Sequence, residues 1–184
     1  MDGSTALRPN TLAFIALCNE YCVAVQDTRN IGDEDSSSFV ATMLRLLPRI
    51  YICAADLETR PGDSEEDGDL LYPDQDEVYI DSVLDEDYYD TIRRNVGNIL
   101  GEDDTYLEVF HQDMKYSDTP IAASVSEGIA DLFQVFYNFL ETVRDAPDRI
   151  VSGAVATMAE DFANYWSAIL CNLLRALNHI RYNG

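Results

Sequence analysis

SEGIADLFQVFYNFLETVR (residues 126–144) is the stretch on which the fold turns. Ile129, Leu132, Phe133, Phe136, Phe139, Leu140 and Val143 recur at threes and fours, the period of an amphipathic helix. A half-buried strand would alternate at two. Glu127, Asp131, Gln134, Asn138 and Glu141 fall on the other side, where the spacing predicts a solvated face. Ser124, three residues before Glu127, has the form of a capping box and marks the start. Asp145-Ala146-Pro147 marks the stop, and Pro147 suits the first turn of a following helix.

Working outward, residues 148–178 read as one long final helix. Val151, Val155, Met158, Phe162, Tyr165, Trp166, Ile169, Leu173 and Leu177 form its main stripe, which Leu170 widens. Cys171 and Leu174 project well away from that stripe. A helix apolar on more than one side is either central in a bundle or part of a subunit contact, and both readings stay open. Upstream, residues 11–25 are apolar nearly all round and predict a buried helix. Residues 36–57 give another helical pattern, opened by Asp35-Ser36. Pro48 interrupts it, as a kink or as the first turn of a separate helix. Ser82 with Asp85 opens a helix over 82–100, with Gly97 and Gly101 near its end. The pattern breaks down over 101–119, where helix and extended chain are both open. Tyr106, Phe110 and Tyr116 are expected to pin that segment to the core. A short ribbon using residues 78–80 is the minor alternative to helix throughout.

These patterns predict an all-α fold: an antiparallel bundle of five to six helices forming a single domain over 1–184. A long acidic insertion, 58–81, separates its N-terminal and C-terminal helices. The 47% hydrophobic content allows a real core. Charge is the unusual feature: 34 acids against 12 bases give a formal net charge of −22. Such a surface repels phosphate backbones and anionic membranes, so neither nucleic acid nor membrane is expected as a direct partner. A basic protein and divalent cations are what this field attracts. No run reaches the roughly 18 apolar residues of a membrane span, and the opening MDGSTALRPN lacks a signal peptide's positive start. A cytoplasmic location is expected. Cys18, Cys22, Cys53 and Cys171 sit inside apolar runs, as small buried hydrophobes do in a reducing compartment.

Nine of the twenty-two residues from Arg60 to Asp81 are Asp or Glu. Counted from Asp63, the segment places Asp63, Glu65, Asp67, Asp69 and Asp74 at positions 1, 3, 5, 7 and 12 of a calcium loop, with Gly68 at 6. Glu65 is long for its position and Asp74 is short for the closing one. Pro61-Gly62 and Pro73 interrupt the flanking helices such a loop needs. A solvated linker, extended by like-charge repulsion, fits better. Within it, Glu65, Glu66, Asp67, Asp69, Asp74, Asp76 and Glu77 are the candidate contacts for a basic partner.

The spacing of Glu86, Asp87 and Asp90 followed by Glu102 and Asp103 faintly resembles that of magnesium ligands in all-helical phosphate-bond hydrolases, as does that of Glu127 and Asp131 one turn apart. Those acids fall off the apolar stripes, so solvated surface is the favoured reading, as it is for Glu160 and Asp161. The only histidines, His111 and His179, form no Glu-x-x-His pair. Cys18, Cys22 and Cys53 could share a soft metal, but fit core positions better. No P-loop, dinucleotide fingerprint or GxSxG elbow occurs. Tyr88, Tyr89, Glu127, Asp131, Tyr165 and Trp166 are the candidates for a groove between helices that binds a peptide or small molecule.

SEGIADLFQVFYNFL (126–140) followed by FANYWSAILCNLLRALN (162–178) resembles an uncharacterised bacterial family, the domain-of-unknown-function family numbered five thousand and sixty-three. Ser126, Glu127, Asp131, Phe162, Trp166, Ala176 and Leu177 carry the likeness, and FIALCNEYCVAV and LRLLPRIYICAADL are similar to its first helices. Gly128, Ile129 and Tyr165 depart from the pattern, Tyr165 standing where a His is expected. The resemblance implies an all-helical fold and supplies no activity. The expected function is a non-enzymatic protein-interaction or binding module without a resident cofactor, a divalent cation being the one candidate. It would act as a monomer or as a homodimer through the last helix. The alternatives are a metal-dependent phosphate-bond hydrolase and an acidic mimic of nucleic acid.

Overall fold

A computed structural model describes residues 7–30, 35–57, 78–108, 115–116 and 119–183. The calcium-like loop, all seven insertion residues proposed as contacts, Phe110 and His111 lie outside these residues.

The described chain is all-α, as its spacing predicts. Its helices are α1 (Pro9–Gln26), α2 (Ser36–Ala55), α3 (Glu86–Leu100), α4 (Val125–Val143), α5 (Asp148–Asp161) and α6 (Ser167–Asn183). A π-turn, Phe162–Trp166, joins the last two into continuous helical backbone. The only strands among the described residues are β1 (Thr105–Leu107) and β2 (Ala122–Ser124), paired antiparallel with Thr105 opposite Ser124. The ribbon is therefore not at residues 78–80: the segment left open after residue 100 makes a short 3₁₀ turn, Gly101–Asp104, and then β1. Tyr106 packs against the core, but Tyr116 is exposed and pins nothing.

Helix α4 is central. Tyr21 of α1 donates to the Ile129 carbonyl at 2.9 Å, and Phe14 meets Phe139 at 5.4 Å, so α1 runs antiparallel to α4. On another side Gly128 faces Leu173 of α6, and Phe136 meets Trp166 edge-on at 5.3 Å. A Cβ on Gly128 would lie 2.9 Å from a Leu173 methyl, so glycine sets how closely α4 and α6 approach. Ile129, Leu132, Phe133, Phe136 and Phe139 are buried, as their period predicts. Asn138 is not on a solvated face: it is 8% exposed. A helix packed on several sides leaves little surface for its polar stripe, and Asn138 is used as a cap for a neighbouring segment.

Several ends and faces differ from the sequence reading for local reasons. Helix α3 starts at Glu86 because Asp85, not Ser82, caps it: its carboxylate accepts from the Asp87 amide at 2.9 Å. Asp35 precedes α2 without a side-chain cap. Pro48 is accommodated inside α2 rather than starting a new helix. Helix α1 buries one face only, since Leu12 and Val23 are exposed. In the last rod the π-turn inserts one residue's worth of rotation. The buried stripe becomes Phe162, Trp166, Leu170, Leu173 and Leu177, which turns Tyr165 outward and leaves Ile169 only partly buried. Cys18, Cys22 and Cys53 are buried free thiols, whereas Cys171 is exposed. Helix α2 is long and apolar enough, by length and composition alone, to cross a membrane, contrary to the count of uninterrupted apolar residues. Ser, Thr, Pro and Arg interrupt the run without making the helix polar on average.

Candidate functional site

The antiparallel seam between α3 and α4 carries polar contacts at both ends and at its middle. At one end Asp104 reaches over Gly97 and accepts from the Ser126 amide and hydroxyl, both at 2.7 Å. It thereby satisfies a donor at the start of α4, beside Ser124, whose hydroxyl accepts from the Glu127 amide at 3.3 Å. At the other end the Asn138 side-chain oxygen accepts from the amides of Val83 and Leu84, at 3.1 and 3.0 Å. Between them the Tyr89 hydroxyl donates to Asp131 at 2.7 Å.

Asp131 is the centre of the candidate site. It is half-buried, one turn along α4 from exposed Glu127. Burial, the hydrogen bond to Asp131 and the charges of Asp131 and Glu127 push the Tyr89 phenol well above its ordinary value, with Arg93 opposing. Partial burial and then the Asp131 charge also raise the Tyr165 phenol from the π-turn. Burial followed by Glu108 and Glu127 does the same to Tyr106. Each phenol therefore stays protonated near neutral pH, a donor and an aromatic face beside fixed negative charge. That combination suits an ammonium or guanidinium group, which carboxylates attract and ring faces accept.

The six residues expected in a groove divide. Tyr89 donates to Asp131, Glu127 is exposed one turn from it, and Tyr165 is 55% exposed. Tyr88 instead accepts from Gln26 at 2.9 Å and stands edge-on to Phe133. Trp166 is 0% exposed, packed against Phe14, Phe136 and Phe162, with an indole N–H that has no hydrogen-bond partner. Asp104, Ser126 and Asn138 were missed as structural partners. Nothing distinguishes Asp104 from Glu102 and Asp103 beside it in the sequence.

The other acids do not converge. Glu86, Asp87, Glu102 and Asp103 are exposed, and Asp90 pairs with Arg93 at 3.2 Å. Among the described residues no group of three or more His, Cys, Asp or Glu is placed to hold a metal ion. His179 is exposed on α6, on the wall of a cleft of about 560 Å³ that Glu102, Asp103 and Arg175 share. Burial raises the Cys18 thiol and takes Cys22 up to about 12, so neither is a ready thiolate.

Residues 5–183 match the family described as Domain of unknown function (DUF5063). The crystal structure of protein BF1032 from Bacteroides fragilis is similar, with a TM-score of 0.71 and 25% sequence identity over 96% of this chain and 94% of that one. Comparison with curated proteins gives no match.

Proposed function

The chain belongs to the DUF5063 family, and we propose that it is a protein-binding module. The α3–α4 seam takes a cationic segment of a partner protein. The observation that carries this reading is the half-buried Asp131, which receives the Tyr89 hydroxyl at 2.7 Å. One carboxylate oxygen is engaged by Tyr89, which orients the group and leaves acceptor capacity for an arriving guanidinium or ammonium. Glu127 adds charge one turn away, and Tyr165 offers an exposed ring. The acidic residues of the insertion, Glu65 to Glu77, supply long-range attraction to the same basic partner. The free buried thiols Cys18, Cys22 and Cys53 support a reducing, cytoplasmic setting.

Titration calorimetry with a short synthetic arginine- and tyrosine-containing peptide tests the site. Asp131→Asn and Tyr165→Ala are each expected to weaken binding about three- to tenfold, the scale of single contacts at a partly exposed site. Asp56→Asn removes the same charge from an exposed position at the end of α2, outside the seam, and is expected to leave binding within about twofold. Equal effects of all three would reduce the interaction to general attraction by a polyanion and overturn the assignment. Deletion of residues 63–76 is expected to slow association without moving the contact; unchanged association kinetics would remove the insertion from the mechanism.

A further inference from the structure

The geometry points to the outer face of α2 and α6 as the contact between two copies of this chain. This proposal is independent of the cation-binding site. The chain carries 34 acids, yet α2 and α6 are the only α-helices among the described residues with no Asp or Glu. They pack against each other, with Arg181 of α6 donating to Ser37 of α2 at 2.7 Å. Exposed Cys171, Arg175, Asn178 and Tyr182 and half-buried Leu174 form one stripe of α6 at three- and four-residue spacing. With Leu44 of α2 they line a shallow groove of about 510 Å³ that no acid enters. The charges that α2 exposes are Arg45 and Arg49, the latter paired with Glu20 of α1 at 3.2 Å. Tyr51 and Ile52 extend its exposed apolar surface. A surface of this composition lowers its free energy when covered.

A second copy is the occupant that the charge distribution favours. Two bodies of net charge −22 repel, so a stable contact has to keep carboxylates off the interface core. The α2–α6 face does so. Its edge also holds what a two-fold contact needs: Arg175 stands on the groove, while Glu102 and Asp103 lie across the adjoining cleft from it. A two-fold axis brings the same patch of both copies together, so an edge with both signs can meet itself with opposite charges apposed.

Sedimentation equilibrium of the full chain reads this directly. The expected result is a reversible dimer that tightens as NaCl rises from about 0.05 M to about 0.5 M, because salt screens the mutual repulsion of the two acidic bodies. Cys171→Asp puts a carboxylate at an already exposed position in the stripe and is expected to raise the dissociation constant at least about tenfold, with helicity by circular dichroism unchanged. Ser82→Asp adds the same charge at an exposed position on another surface and is expected to leave it within about twofold. A monomer at every concentration and salt overturns the proposal. So does a dimer indifferent to Cys171→Asp. Flotation with phosphatidylcholine vesicles in place of self-association would also overturn it, assigning the face to lipid.

Discussion

The α3–α4 seam and the α2–α6 seam join antiparallel helices of one bundle in different ways. To the buried packing of Ile92, Val96 and Ile99 the first adds placed hydrogen bonds along it and at its flanks: Asp104 to Ser126, Tyr89 to Asp131, and Asn138 to the Val83 and Leu84 amides. The second joins two helices whose buried side chains, among them Leu47, Ile50, Leu170 and Leu177, are apolar, with the Arg181–Ser37 contact at its edge. Directional contacts hold a geometry at the cost of desolvating polar groups. Dispersion and hydrophobic burial give more free energy per residue but do not orient a charge. The first kind of contact holds Asp131 in one orientation. The second gives cohesion without orienting a charge.

Stability measurements can break or sharpen this contrast. The largest effect belongs to the apolar seam. Leu177→Ala removes a wholly buried side chain, and urea unfolding should show a loss of about 3 kcal/mol. Asn138→Ala comes next, at about 2 kcal/mol, because it orphans two backbone amides, one of them buried. Hydrogen exchange should accelerate at Val83 and Leu84 in that variant. Unchanged exchange there would mean that the cap does not hold the segment. Asp104→Asn keeps one acceptor and loses the charge at the start of α4, for about 1 kcal/mol. A loss as large as that of Leu177→Ala would erase the distinction between the seams.

The smallest effect, below about 1 kcal/mol at neutral pH, is expected for Tyr89→Phe, since that hydrogen bond is only partly buried. Its signature is in the pH dependence. Burial and the Asp131 contact raise the Tyr89 phenol above its ordinary value of 10.0, and burial raises that of Tyr21. The unfolded chain therefore loses these protons first. The stabilisation is complete below about pH 10 and is lost as pH climbs from there toward the folded values. Tyr89→Phe should shallow the alkaline decline in urea midpoint, and Tyr21→Phe should shallow it further. A wild-type profile flat beyond pH 10 would remove both phenols from the stability balance.

How much of this was legible follows from where each signal resides. The stripe at Ile129, Phe133 and Phe136 is written in local spacing, so α4 and its buried face could be read directly. The Ser124 cap was equally legible, because a capping box closes within four residues. Asp131 was expected to be solvated because it lies opposite that stripe, and Asn138 for the same reason. Both are claimed by segments some 40 to 55 positions away in sequence, Tyr89 and the Val83–Leu84 amides. No periodicity reports a partner at that distance. A uniform helix puts Tyr165 on the core stripe, and a single π-turn rotates it out.

The sequence by itself determined the helical class, the position of α4, the concentration of negative charge and the absence of acids from residues 36–55 and 167–183. These are properties of composition and short-range order, and each helix carries them before it meets another. Only the tertiary structure decided which carboxylate is held by a phenol, which amide oxygen caps a distant segment, and which apolar stripe is left uncovered. Those outcomes depend on which helix faces oppose one another, and the packing of the whole chain sets that.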